Sequence, residues 1–111
     1  MEIKEKNISV RGIKFFIEKE GKEIARAFLY LLKNELHPEP FGFLEDVFVE
    51  EKFRGQGIGT QLVRKVIEVA EKRGCYKLIA TSRHSRPKVH LLYKRLGFKD
   101  YGLEFRIDFK T

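Results

Sequence analysis

The sequence predicts a single α/β domain with a mixed, mostly antiparallel sheet and two main helices. Three observations support this fold class: a length of 111 residues, a hydrophobic content of 42%, and strand-like segments that precede two segments of helical periodicity. A chain of this length can form one hydrophobic core but not two. We therefore expect residues 1–111 to be one domain.

Three strands are predicted in the N-terminal half. The first covers residues 8–19, and turn-forming residues follow at 20–22. The second, residues 24–32, has some helical propensity, but its position after a hairpin turn favours a strand. Two prolines predict a loop at residues 34–40. Residues 41–49 are apolar at alternate positions on both faces, which is typical of a central strand that is covered on both sides.

The C-terminal half alternates between helix and strand. Apolar residues recur at steps of three and four over residues 57–73, and Gly74 offers a C-terminal stop, so a helix is predicted there. A short buried strand at 76–81 and a second helix from Pro87 to Gly97 follow. Residues 98–100 and 103–109 predict one or two final strands.

Charge is distributed unevenly along the chain. Residues 1–51 contain eight Lys or Arg and eleven Asp or Glu, whereas residues 52–111 contain fifteen and five. This asymmetry indicates an anionic partner, either a nucleic acid or a phosphorylated small molecule. The high charge and the absence of Trp also resemble the composition of thermophile proteins.

The basic half opens with a glycine-rich loop, Arg54 to Thr60, between a predicted strand and a predicted helix. The first backbone N–H groups of a helix lack partners and carry partial positive charge, so a loop with few side chains lets a phosphate approach them. A Walker loop is excluded because no lysine follows Gly57 or Gly59. A dinucleotide fingerprint is excluded because Thr60 stands where a third glycine or alanine is needed.

Two blocks of sequence resemble the GCN5-related N-acetyltransferases. They are Arg-x-x-Gly-x-Gly, formed by Arg54, Gly57 and Gly59, and the later segment from Tyr93 to Phe98. The resemblance covers roughly residues 13–109 and implies an acyl-CoA N-acyltransferase fold that lacks the usual N-terminal helix pair. It further implies acetyl-CoA as donor. The implied cofactor-binding residues are Val47, Phe48, Val49, Arg54, Gly55, Gln56, Gly57, Ile58, Gly59, Thr60 and Arg86.

The resemblance also implies two catalytic residues. Glu45 matches the general base of the diamine or polyamine acetyltransferase branch. Alternatively, it is a structural carboxylate paired with Arg26 or Arg83. Adjacent strand residues face opposite sides, so Asp46 is not expected to act with Glu45.

Tyr93 matches a tyrosine that protonates the coenzyme A thiolate, although core packing would also explain a tyrosine on an apolar helix stripe. Arg86 stands where the family most often has asparagine, and its guanidinium is expected to reach a phosphate instead. His84 and His90 are alternative bases.

These features together predict an N-acetyltransferase that joins acetyl-CoA and a primary amine in a ternary complex. The alternative is a non-catalytic module that binds coenzyme A or nucleic acid. No His, Cys or carboxylate spacing is typical of a metal site, so no metal is expected. We expect a cytoplasmic protein with no membrane partner, with nucleic acid unlikely because no binding motif is recognised. A homodimer is expected because the helix pair is missing.

Overall fold

The computed structural model describes residues 1–110. The first secondary structure in the chain is an antiparallel hairpin. Strands β1 (Val10–Lys19) and β2 (Lys22–Leu32) are antiparallel, with one register shift between Ile17 and Glu18 that leaves Ile24 without a partner. Glu20 and Gly21 between them have φ values of 53° and 77°, the left-handed conformation that matches the twist of two-residue hairpin turns. The prediction of a strand after this turn is confirmed.

The hairpin belongs to a four-stranded mixed sheet with the order β1-β2-β3-β4. Strand β3 (Phe41–Val49) is antiparallel to β2, and β4 (Leu78–Ala80) is parallel to β3. Helix α1 (Ile58–Lys72) connects the two parallel strands, and Gly74 follows it with φ 79°. The predicted mixed α/β fold is confirmed, although β4 is shorter than the sequence suggested.

The core lies between α1 and one face of the sheet, which we call the covered face. Its side chains come from alternate positions of β2, from β3 and from one stripe of the helix. The buried hydrophobic residues are Ile24, Ala25, Ala27, Leu29, Leu44, Leu62, Val63, Val66 and Ala70. This arrangement follows from the period of two in the strands and 3.6 in the helix.

The opposite side, which we call the open face, is rich in aromatic residues and only partly buried. Its members alternate with the core residues along each strand: Phe16, Phe28, Tyr30, Phe43, Glu45 and Phe48. The expectation that β3 is covered on both sides is wrong, because Glu45 and Phe48 are exposed. Apolar residues at the alternate positions therefore do not show by themselves that both faces of a strand are covered.

The chain divides into two compact units, one of residues 1–80 and one from Thr81 onward. The second unit contains α2 (Pro87–Arg95), which starts at a proline in its first turn. The helix ends before Gly97, where φ is 106°, and the Phe98 N–H donates to the Tyr93 carbonyl at 3.0 Å. This is the geometry of a helix closed by a left-handed glycine.

The final strands predicted at 98–100 and 103–109 are wrong, because residues 98–110 contain no strand. Their alternating apolar residues Tyr101, Leu103, Phe105, Ile107 and Phe109 are each at least 71% exposed. Alternation shows which side chains share a face, but a strand also needs a neighbour for its backbone hydrogen bonds.

Neither helix in the described part of the chain has the length and apolar character needed to cross a membrane.

Candidate functional site

The loop between β3 and α1 presents a run of free backbone donors. Within residues 1–110, the N–H groups of residues 55–60 have no protein acceptor, and the first bond of the helix joins the Gln61 N–H to the Gly57 carbonyl at 3.0 Å. No side chain caps this helix, and its first turn contains no acidic residue. Six consecutive donors at the positive end of a helix form a site suited to a phosphate group.

Two glycines give the loop its shape. Gly55 and Gly57 both have φ 80°, a conformation that costs other residues about 1–2 kcal/mol. Gly59 differs, because its φ is not left-handed and an added Cβ would only contact Val49 Cγ2 at 3.9 Å. The backbone conformation thus requires the first two glycines and not the third.

Arg54 lies at the start of this loop, as the sequence predicted, but part of it is already engaged. Its Nε donates to the Val49 carbonyl at 2.8 Å, and its guanidinium carbon lies 5.7 Å from the centre of the Phe48 ring. The side chain therefore fastens the loop to the end of β3. A guanidinium has five N–H donors, so the others remain for an anion.

A β-bulge interrupts β3 directly before this loop. Phe28 pairs with Glu45, but Arg26 pairs with Phe48, so two residues of β3 lie opposite the single residue between them on β2. Bulges bend a strand and disrupt its hydrogen-bond ladder locally. The bulge falls at Asp46 and Val47, next to the predicted cofactor-contacting residues 47–49.

The bulge also changes the direction of the Asp46 side chain. Asp46 has φ 52°, and its carboxylate accepts a hydrogen bond from Arg26 Nε at 2.9 Å. This hydrogen bond raises the pKa of the Arg26 guanidinium. Arg26 belongs to the open face, where Glu45 also lies, so the expectation that Glu45 and Asp46 point to opposite sides is wrong.

Glu45 is exposed on the open face, and within residues 1–80 its carboxylate forms no ion pair or side-chain hydrogen bond. The alternative that Glu45 is the structural partner of Arg26 is wrong, because that role belongs to Asp46, with Glu23 as a second partner at 3.7 Å. Glu45 instead lines a cavity of about 290 Å³ together with Val10, Tyr30, Leu32 and Phe43.

The remaining candidate residues belong to the second unit. Tyr93 is half-buried, burial raises the pKa of its phenol, and its ring lies 5.1 Å from that of Phe98. Arg86 is exposed at the N-terminal end of α2. A ring nitrogen of His90 lies 2.8 Å from the Arg83 carbonyl, which indicates a structural role. The joint action of Tyr93 and Arg86 with the loop stays a prediction.

No three His, Cys, Asp or Glu side chains within residues 1–110 are grouped so that they could hold a metal ion. The sequence analysis missed the Asp46 to Arg26 pair and the aromatic lining of the Glu45 cavity. The sequence of β3 alone does not reveal the bulge, because the extra residue is detected only from the pairing of β3 with β2. Tyr30 and Phe43 were visible as strand residues, but their face was expected to be covered.

Comparison with known proteins places these features in a family. A model described as the Acetyltransferase (GNAT) family matches residues 3–98. The probable glucosamine 6-phosphate N-acetyltransferase 2 of Oryza sativa subsp. japonica is 37% identical over 68 residues, which is 61% of this chain and 39% of that protein. Thialysine N-epsilon-acetyltransferase of Bos taurus is 41% identical over 58 residues, 52% of this chain and 34% of that protein.

The fold is also similar to solved structures. A putative acetyltransferase from Agrobacterium tumefaciens str. C58 has a TM-score of 0.79 and 33% sequence identity, covering 87% of this chain and 68% of that one. The match to the two curated relatives spans less than half of their length.

Proposed function

Because the chain belongs to the Acetyltransferase (GNAT) family, we propose that it transfers an acetyl group from acetyl-CoA to a primary amine in a ternary complex. One observation carries this proposal, namely the six free backbone donors at residues 55–60. Their position at the N-terminal end of α1 suits a diphosphate. The excess of Lys and Arg over Asp and Glu from residue 52 onward supports the same choice of ligand.

The residues present fit acetyl-CoA. The amides of residues 55–60 and the remaining N–H groups of Arg54 would hold the diphosphate, with Arg86 as a further cation. The bulged end of β3, residues 47–49, would contact the pantetheine arm through its backbone. Bound acetyl-CoA supplies the acetyl group as an activated thioester.

Glu45 is proposed as the general base. Its carboxylate lines a cavity next to the bulge and has no cation beside it within residues 1–80. It can therefore accept a proton from the acceptor's ammonium group, directly or through one water, and leave a neutral amine as nucleophile. Asp46 is less suited to this role, because the Arg26 guanidinium already holds it at 2.9 Å.

Tyr93 is proposed as the general acid that protonates the leaving sulfur. Burial raises the pKa of its phenol, so the hydroxyl keeps its proton at neutral pH and can donate it when a thiolate forms. If this role is correct, Tyr93→Phe lowers kcat and leaves the Kd of acetyl-CoA unchanged. Equal losses in turnover and in affinity would indicate a packing role instead.

The acceptor is proposed to be a small molecule. Two relatives are named for glucosamine 6-phosphate and for thialysine, which are both small primary amines. The cavity beside Glu45, at about 290 Å³, also has the size of a small-molecule site.

We also propose that the protein works in the cytoplasm as a homodimer. Large exposed apolar surfaces are typical of interaction sites, and this chain exposes Leu103, Phe105, Ile107 and Phe109 near its C-terminus. Sedimentation velocity tests the dimer: a monomer at all concentrations would contradict it. Fractionation of the source cells tests the location.

Thermal unfolding with added ligand tests the function. A ligand at 100 times its Kd stabilises a protein by about 2.7 kcal/mol, so acetyl-CoA at saturating concentration should raise the Tm clearly. Pantetheine, which lacks the diphosphate, is the control and should have little effect. Release of free thiol with a panel of amines then measures turnover. No stabilisation at millimolar acetyl-CoA would contradict the proposal, and stabilisation without thiol release would indicate a non-catalytic module.

A further inference from the structure

The cavity beside Glu45 has a lining that selects among amines. It is formed by two aromatic rings, two aliphatic side chains and one carboxylate: Val10, Tyr30, Leu32, Phe43 and Glu45. All five belong to the open face of the hairpin and of β3. No Lys, Arg or His contributes to the lining within residues 1–80, so the single charge in it is negative.

The backbone opposite Tyr30 leaves space for the Tyr30 ring, one of the two rings that line this cavity. Gly12 pairs with Tyr30 across the hairpin, and a Cβ at Gly12 would approach Tyr30 Cδ1 and Cε1 to 3.3 Å. The missing side chain therefore makes room for the ring. The Phe28 ring lies parallel to that of Tyr30, at 4° and 6.2 Å between centres. The two rings are stacked along β2, and Phe28 pairs with Glu45 on β3.

Two other cations of this face are paired with carboxylates. Lys14 forms an ion pair with Glu23, and Arg26 forms ion pairs with Asp46 and Glu23. An anionic group on the acceptor would find the Glu45 carboxylate and no free cation in the cavity lining. An ammonium group would find that carboxylate together with aromatic rings, which both attract cations.

We propose that the acceptor is a primary amine with a short apolar arm and no negative charge. Its ammonium lies against Glu45 and its arm lies across Tyr30 and Phe43. This inference rests on the proposed function, because it assigns the acceptor class of that same site.

Steady-state thiol release with saturating acetyl-CoA tests the acceptor class. The probes are 2-phenylethylamine and hexylamine, compared with glucosamine 6-phosphate and with spermidine. We expect kcat/KM for the two apolar amines to exceed that for the phosphorylated sugar by about tenfold or more, the scale on which pocket contacts discriminate. Preference for glucosamine 6-phosphate or spermidine would overturn the proposal and leave acetyl transfer intact.

Substitutions of Tyr30 test whether the preference among amines comes from this cavity. Tyr30→Ala should raise the KM for 2-phenylethylamine about tenfold with an unchanged Kd for acetyl-CoA, and Tyr30→Phe should restore the KM. Tyr76→Ala removes an exposed ring that lies outside this cavity and outside the one that Phe16 forms with Gly57, so it is the matched control. Equal effects of Tyr30→Ala and Tyr76→Ala would contradict the assignment.

A measurement of amine binding in the absence of turnover tests the acceptor pocket separately from the proposed acetyl transfer. If no amine releases thiol, calorimetric titration of 2-phenylethylamine into the protein decides. Binding that Tyr30→Ala weakens supports the pocket even though the enzymatic proposal fails. The absence of binding at millimolar amine overturns the pocket, whatever acetyl-CoA does.

Discussion

The two faces of the sheet are built from the same strands and differ in what covers them. The covered face places Leu29 and Leu44 against α1, where both are at most 1% exposed. The open face carries aromatic rings at the alternate positions, and Glu45 stands exposed among them. This difference indicates that one face holds the fold together, and we propose that the other performs the chemistry. Substitutions on the two faces should therefore separate stability from activity.

The largest expected effect is on activity and comes from the open face. Glu45→Gln removes the proposed base and should lower kcat/KM by about 10²–10⁴-fold. Its effect on unfolding should stay within about 0.5 kcal/mol, as for other surface changes. The measurements are thiol release and urea unfolding. Glu39→Gln, an exposed loop carboxylate, is the control, and equal activity of both variants would remove Glu45 from the mechanism.

The next effect is on stability and comes from the covered face. Leu29→Ala should lower the free energy of unfolding by about 2–5 kcal/mol, because a fully buried leucine leaves a cavity. Phe16→Ala on the open face should cost less than about 1 kcal/mol, because that ring is 52% exposed. Urea unfolding measures both. A large loss for Phe16→Ala would mean that the open face is covered in solution.

Substitutions in the loop between β3 and α1 should have an intermediate effect on stability. Gly57→Ala places a side chain in a left-handed conformation and should destabilise the fold by about 1–2 kcal/mol. Gly59→Ala lies within the first turn of α1 without such strain and should be neutral or stabilising by up to about 1 kcal/mol. Thermal unfolding compares the two variants. If both lose the same stability, backbone conformation is not the reason for the glycine at position 57.

The smallest effect should come from the ion pair at the bulge. Asp46→Asn keeps a residue type that tolerates φ 52° but removes the charge facing Arg26. Both side chains are partly exposed, at 45% and 33%, so the loss should be about 0.2–1 kcal/mol and should shrink in high salt. Urea unfolding at two ionic strengths measures it. A loss above about 2 kcal/mol would show that the pair is a major support of the open face.

Sequence patterns predicted the covered face better than the open one. The period of the apolar residues placed β2, β3 and α1, because burial against a single partner leaves a regular signature. The same patterns could not locate the bulge at Asp46, since register depends on a strand distant in the sequence. They also predicted strands after Gly97 that the chain does not form, because alternation does not reveal whether a neighbouring strand is available.

The backbone conformation of the loop between β3 and α1 was predictable for a different reason. Its glycines encode backbone conformation directly, and Gly57 has the positive φ that only glycine adopts readily. The engagement of Arg54 with the Val49 carbonyl was not foreseen, because a side chain's hydrogen-bond partner depends on the folded position of the loop. Local backbone conformation could thus be predicted from the sequence, whereas the hydrogen-bond partners of side chains could not.

A crystal structure of the complex with acetyl-CoA tests the central claim most directly. We expect the diphosphate to lie within hydrogen-bond distance of the amides of residues 55–60 and the acetyl group to point to the open face near Glu45. A complex in which the diphosphate is bound elsewhere, with those amides facing only solvent, would contradict it.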